Sequence, residues 1–433
     1  MTLPLLHHIR QTAPQPTVAD VPGEVRKQWL ASAVAKRVKK GDRIAVGCGS
    51  RGIRHIDKIA KATVDAFLEM GAKPFIVAAM GSHGGATPEG QRELLAGYGI
   101  HEDALGVPVK TEMDTQQIGV NSWGDPVWWD RNAVAADGVV TVSRIKPHTD
   151  YRGPFESGIA KMCVIGLGKR DGANQHHRWG WKGLQQMLPE SMKVIIEKTK
   201  FLGGLGILEN ANEETAHLQV VDRDELMAVE PGLLERARDL MGKMPFDEID
   251  VLIIGELGKN YSGAGIDPNV VGRLLIEAAP ELETNKPKVT RMVVLDVSPE
   301  SHGNATGCGI ADLATNRLVK AIDPIPFRMN NLTACFLRRS QIPFTFETDR
   351  ETIAMAIQTC WQPIPERLKV AVIPNTLEVA EMWASPALAA TVRGRAGLEI
   401  SSEPIPVPFD AAGNIVQEQM FPHSVRGRRN KAH

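Results

Sequence analysis

The sequence predicts an α/β protein made of two α/β domains with largely parallel sheets and an interdomain active-site cleft. Three observations carry this expectation. Short buried runs rich in Val and Ile alternate with amphipathic stretches. Glycine-rich segments follow those runs instead of interrupting them. The 433 residues also exceed what one hydrophobic core usually organises. We place a first domain, cofactor-binding and catalytic, over residues 1–245 and a second, closing the cleft, over residues 246–433.

The elements follow in chain order. Val21-Pro22-Gly23 is a turn, Glu24–Lys39 carries a helical pattern, and Gly41 stops it. Arg43–Gly47 reads as a strand, Ile53–Met70 as a helix, Pro74–Met80 as a strand and Pro88–Gly97 as a helix. Thr87 is placed as the N-cap of that last helix, with Pro88 in its first turn. Gly138–Ser143 is a buried strand. Two more strands, Gly203–Asn210 and His217–Val221, precede a charged helix over Asp222–Met241. Asp250–Gly255 and Val289–Val297 restart the buried-strand pattern, Arg317–Arg339 reads as helix, and Leu368–Pro374 as a further strand.

Composition excludes several classes. Fifty Lys and Arg against 51 Asp and Glu leave a formal charge of −1, which disfavours a nucleic-acid partner. No apolar run reaches the roughly 18–20 residues of a membrane span, and Met1–Arg10 has no signal-peptide pattern. We therefore expect a cytoplasmic protein with no membrane partner. The five cysteines form no CxxC pair, so neither a zinc knuckle nor a disulfide framework is expected.

Chemistry concentrates in four places. Gly47-Cys48-Gly49-Ser50-Arg51-Gly52 is a GxGxxG between a strand and a helix, which suits a bound phosphate. The strand ending Val77-Ala78-Ala79-Met80 lacks the carboxylate that a dinucleotide ribose requires. Gly81-Ser82-His83-Gly84-Gly85 puts a histidine at a strand's carboxyl end. The third place gathers Lys146, His148, Gly158, Lys161, Lys169, His176 and His177 within about thirty positions. Imidazoles serve as acids, bases or metal ligands, and a lysine in apolar surroundings becomes nucleophilic. Of the adjacent His176 and His177, only one would point inward on a strand. The fourth place comprises the glycine-rich loops Gly258–Asp267 and Ser301–Gly307, whose Lys259, Asn260, His302 and Asn304 are candidate substrate-binding residues.

Taken in order, the Gly-Ser-Arg loop, the Ser-His-Gly-Gly loop, Lys-Pro-His, Ser-Gly-Ile-Ala-Lys and a later histidine resemble the nickel-dependent lactate racemase family. The resemblance covers roughly residues 10–215. It implies a nickel pincer nucleotide, a pyridinium-3,5-bisthiocarboxylic acid mononucleotide holding nickel, which can be tethered to a lysine. By motif, Arg51 resembles the anchoring arginine, with Ser50 and Gly158 in cofactor-holding segments. His83 and His148 resemble the two catalytic histidines, Lys161 the tether and His177 the nickel ligand, with His176 as the alternative. Lys259 is a loose counterpart of a lysine in the family's C-terminal segment.

The implied reaction is racemisation or epimerisation of a 2-hydroxy acid through a planar 2-keto acid. It needs a hydride acceptor, a base on each face and a cation for the carboxylate. Two histidines with ordinary values near ~6.5 suit the bases, and Arg51 or Lys146 suits the anion. The polar C-terminal loops suggest a substrate larger or more polar than lactate. Three other classes compete: an NAD(P)-dependent oxidoreductase using the Gly47–Gly52 loop, a non-catalytic binder of an anionic metabolite, and a zinc hydrolase built from His83, His148 and His177.

Overall fold

The computed structural model describes residues 3–50, 52–279 and 281–431. It divides into two compact units, Gln15–Met241 and the chain from Gly242 onward joined by the N-terminal segment through Pro14. The N-terminal segment, expected in the first domain, thus lies in the second unit. Its strand β1 (His7–Gln11) buries Ile9 beside Leu6 and has no hairpin partner nearby, so it pairs far along the chain.

In the N-terminal unit, helix α1 (Val21–Ala31) starts where the Asp20 carboxylate accepts from Gly23 N at 3.0 Å, with Pro22 in the first turn. It is shorter than the expected Glu24–Lys39 run; the chain turns at Ser32 and makes only a short 3₁₀ turn at Ala35–Arg37. Strand β2 (Arg43–Cys48), helix α2 (Ile56–Glu69), strand β3 (Lys73–Ala78) and helix α3 (Pro88–Gly97) follow. Thr87 caps α3 by accepting from Gly90 N at 3.1 Å. Strand β4 (Val109–Lys110) is short, and β5 (Thr115–Val120) with β6 (Pro126–Asp130) forms a separate hairpin.

Strand β7 (Gly138–Arg144) leads into a broken helical run: Ile159–Lys161, a π-helical turn Met162–Gly166, then α4 (Lys169–His177). Helix α5 (Leu188–Lys198), strands β8 (Phe201–Glu209) and β9 (Thr215–Asp222), and helix α6 (Leu226–Leu240) complete the unit. The sheet order is β4-β3-β2-β7-β8-β9, parallel except for β9. Both faces are covered, as the continuous apolar strands require. Trp29 and Phe67 pack one face, Trp129, Met192 and Phe201 the other. Each is fully buried, so truncating one to Ala costs about 2–5 kcal/mol.

The second unit contains β10 (Glu248–Ile254), β11 (Lys288–Val294) and β12 (Leu313–Thr315). The helix expected over Arg317–Arg339 is two helices, α7 (Asn316–Lys320) and α8 (Pro324–Ala334). Pro324 cannot continue a helical hydrogen-bond ladder, and Asp323 starts a new helix by accepting from Ile325 N at 2.8 Å. Strand β13 (Phe344–Phe346), helix α9 (Asp349–Thr359) with a Thr348/Glu351 capping box, and strands β14 (Val370–Ile373), β15 (Glu381–Ala384) and β16 (Leu398–Ile400) follow. The order is β13-β12-β11-β10-β14-β15-β1-β16: parallel from β13 to β14, antiparallel beyond. The loops after β10 and β11 lie back to back. A Cβ on Gly265 (φ 77°) would fall 1.8 Å from Thr306 O, and one on Gly307 (φ 94°) 1.8 Å from Ala264 O. Only glycine fits either position. Among the described residues, no helix is long and apolar enough to cross a membrane.

Candidate active site

Strand order in the N-terminal sheet fixes where a ligand can enter. The chain lays β2 at the centre, places β3 and β4 on one side, then returns to place β7 and β8 on the other. The crevice between the carboxyl ends of β2 and β7 is therefore the topological switch point, where open α/β sheets bind ligands. Three of the predicted loops leave the sheet at this edge, after β2, β3 and β7.

The first two loops meet side chain to side chain. Ser50 Oγ hydrogen-bonds His83 Nδ1, and the Ser50 carbonyl accepts from Tyr98 OH at 2.9 Å. His83 is exposed, while the loop beneath it is held from inside. Fully buried Gln91 donates Nε2 to Gly81 O at 3.0 Å and to His83 O at 3.2 Å. Arg51 lies outside the described residues.

The third loop is clamped by Glu156, whose side chain is wholly buried. Its carboxylate accepts from His148 N (2.6 Å), Gly153 N (2.9 Å) and Arg238 Nη2 (2.5 Å). Bonds to an ionised acceptor are about twice as strong as neutral ones, so this clamp fixes the His148 backbone. The His148 ring stacks obliquely on Tyr151 with centroids 4.7 Å apart, and its Nδ1 accepts from Asp150 N at 3.1 Å. A neutral ring then carries its hydrogen on Nε2, and that atom is hydrogen-bonded to Lys161 Nζ. Lys146 is half-buried in a bridge with Ser157.

His176 and His177 sit on a helix instead of a strand, so their directions differ by about 100° rather than 180°. His176 turns into the core, its Nδ1 on Gly172 O (2.8 Å) and Nε2 on Ser191 Oγ (3.0 Å); burial lowers it from 6.5 to about 4. It has no free nitrogen for a ligand. His177 is held below the ordinary histidine value by burial first and by the neighbouring charge of Lys161 second. The helical run thus places Lys161 and His177 in one electrostatic neighbourhood with His148.

Two residues of this region left no local signal in the sequence. Glu230 on α6 is buried, and its carboxylate accepts from Ala160 N at 3.0 Å at the start of the helical run. Burial raises it from 4.5 to about 7, against the pull of the Ala160 and Ile159 amides. A Cβ on Gly158 would lie 2.0 Å from Glu230 Oε1, so Gly158 admits this carboxylate. Gln91 was the other omission.

Lys259, Asn260, His302 and Asn304 lie in the second unit, at the carboxyl ends of β10 and β11. Lys259 Nζ donates to Gly263 O. Asn304 bonds Asn330 Oδ1 (3.0 Å) and accepts from Thr306 N (3.1 Å) and Thr306 Oγ1 (2.6 Å). Asn260 and His302 are exposed. The polar character read as substrate recognition is, for Lys259 and Asn304, loop-internal hydrogen bonding. Among the described residues, no three His, Cys, Asp or Glu side chains converge as a metal site, so the zinc arrangement of His83, His148 and His177 is not formed.

The unit is thus a doubly wound α/β module bearing histidine and lysine loops at its switch point. Residues 27–185 match the family model of the lactate racemase N-terminal domain. Among solved structures, the chain is similar to the lactate racemase apoprotein from Thermoanaerobacterium thermosaccharolyticum, at a TM-score of 0.52 and 10% identity, covering 85% of this chain and 94% of that one. A comparison with curated proteins gives no match. Residues 27–185 are thus similar to a lactate racemase N-terminal domain, and the chain as a whole shares the fold of that apoprotein.

Proposed function

We propose that this chain racemises or epimerises a 2-hydroxy acid with the help of a lysine-tethered nickel pincer nucleotide. The observation that carries the reading is the grouping at the switch point: Ser50 with His83 on one side, His148 with Lys161 and His177 on the other.

The donor set suits the implied group. Nickel in a pincer receives its other donors from the cofactor, so one protein imidazole suffices, and burial keeps His177 in the neutral form that binds metals. Lys161 has the amine that a thioamide tether needs. When bound, the group would supply the acceptor for the substrate's α-hydride. His83 and His148 would flank the substrate carbon from opposite faces, one accepting the hydroxyl proton of one enantiomer and the other supplying a proton to the opposite enantiomer. Ser50 would orient the His83 ring through Nδ1. Lys146 and Arg51 would meet anionic groups.

The test is the intact mass, nickel content and peptide map of protein made alongside the cofactor's biosynthetic enzymes. We expect bound nickel and an adduct on Lys161. An adduct on Lys146 or Lys169, or tightly bound nickel-free NAD, would overturn the reading. A panel of chiral 2-hydroxy acids in deuterated water tests the chemistry: inversion with the α-hydrogen retained is expected, and obligatory deuterium uptake refutes hydride transfer.

A further inference from the structure

Lys169 is among the largest wholly buried side chains of the protein, and the reading above gives it no role. Its ammonium sits 3.2 Å from Asp130 Oδ2, with both side chains at 0–1% exposure. It also donates to Ala78 O at 2.6 Å, the last residue of β3, and reaches Gln91 Oε1 at 3.4 Å. Its own backbone has φ of +52°, a left-handed conformation that side-chain-bearing residues avoid unless their surroundings impose it.

A buried ion pair is a poor way to gain stability, because well-packed apolar residues of similar volume serve as well or better. What the pair does here is geometric. Gln91 passes the connection onward to Gly81 O and His83 O. The same junction is stitched by Gly81 N to Gly166 O (3.1 Å) and Asp130 N to Leu167 O (2.7 Å). Lys169 stands midway along the helical run, eight positions after Lys161 and eight before His177. Through Gln91 the ammonium is thus linked to the loop carrying His83, and its own backbone belongs to the run carrying Lys161 and His177.

We propose that Lys169, paired with Asp130 and Gln91, is a positioning residue that sets the His83 loop against the Lys161–His177 run. Its consequence for catalysis rests on the function proposed above; the positioning itself does not. The test compares Lys169→Met with wild type in the full chain, with and without cofactor. Trp29→Phe, on the opposite face of the sheet, is the control for general destabilisation.

In cofactor-free protein, Lys169→Met should raise amide exchange at residues 82–86 and 165–167 by about tenfold or more, and Trp29→Phe should not. In loaded enzyme, kcat should fall by about 10²-fold while KM and nickel content hold, since misplacement by about 1 Å costs that much. Should Lys169→Met fail to fold with Asp130 left unpaired, the double variant Lys169→Met/Asp130→Asn removes the charge and gives the same comparison. Exchange in those two segments no different from the control would overturn the proposal. If wild-type protein turns over no 2-hydroxy acid, the proposed function falls while the exchange comparison still decides the positioning.

Discussion

Glu230→Gln isolates one buried carboxyl at the start of the helical run that carries Lys161. In the folded protein Glu230 stands at about 7, against an ordinary 4.5, because burial penalises the charged form. Between those two values the native state holds a proton that the unfolded chain has released. Native stability therefore falls as pH rises from 4.5 through 7. A rise of that size corresponds to about 3 kcal/mol once both states are ionised, and about 2.5 kcal/mol of it falls between pH 5 and pH 8. Glutamine keeps an oxygen to accept from Ala160 N and carries no charge. The variant should thus match or trail wild type at pH 5 and exceed it at pH 8. The assay is urea unfolding of the cofactor-free chain across that range, followed by hydrogen exchange in β7 and β8 so that the second unit does not contribute. Other titrating groups are common to both proteins and cancel in the difference. Curves that stay parallel from pH 5 to pH 8 would refute the argument.

Three further outcomes are expected. His83→Ala and His148→Ala should each lower kcat by roughly 10²–10⁴ with nickel retained, the usual cost of a lost general base; near-normal turnover in either rejects the two-base scheme. His177→Ala should lose nickel on dialysis, whereas His176→Leu should keep it and instead lose about 1–3 kcal/mol in a urea titration, because Gly172 O and Ser191 Oγ lose their partner. His176 should also make wild type acid-sensitive: its stabilising contribution is complete above pH 6.5 and disappears as pH falls toward about 4, a slope missing from His176→Leu. Gly265→Val should unfold the second unit at markedly lower urea, because its Cβ meets Thr306 O where φ is 77°; an unchanged midpoint would contradict the packing of the two loops.

What could be read from the sequence is what local pattern encodes. β2, β3, β7, β8, β9, β10 and β14 announce themselves as buried runs, and the Ser50, His83 and His148 loops sit where those runs end. Thr87-Pro88 marks the start of α3 through capping chemistry confined to four residues. Over Arg317–Arg339 the apolar spacing suggests one helix, but Asp323-Pro324 is a stop-and-start signal that the chain obeys, making two. His176 and His177 lie on a helix whose period is hidden in the sequence by the run's many glycines and short breaks. Glu230 and Gln91 could not be read at all. Each acts on a loop that its own sequence neighbourhood does not mention, and Glu230 reaches across 70 positions to Ala160. Lys169 was noticed for its charge, yet its burial follows only from where Asp130 and the end of β3 come to lie.

Strand β1 has a consequence for how the chain is made. His7 and Ile9 are synthesised long before their neighbours in the sheet, which are Ala384 and Met382 on one side and, for Ile9, Ile400 on the other. At about 5–20 residues per second, the stretch of some 370 residues between them takes about 20–75 s to synthesise. Within that interval the N-terminal unit can complete its own sheet, since its last strand, β9, ends at Asp222, well before Glu381. Strand β1 is thus paired long after it is made, because both of its neighbours, β15 and β16, come from far along the chain. The second unit's sheet therefore closes only after β14, β15 and β16 have been made, and it takes back a strand that preceded the whole N-terminal unit.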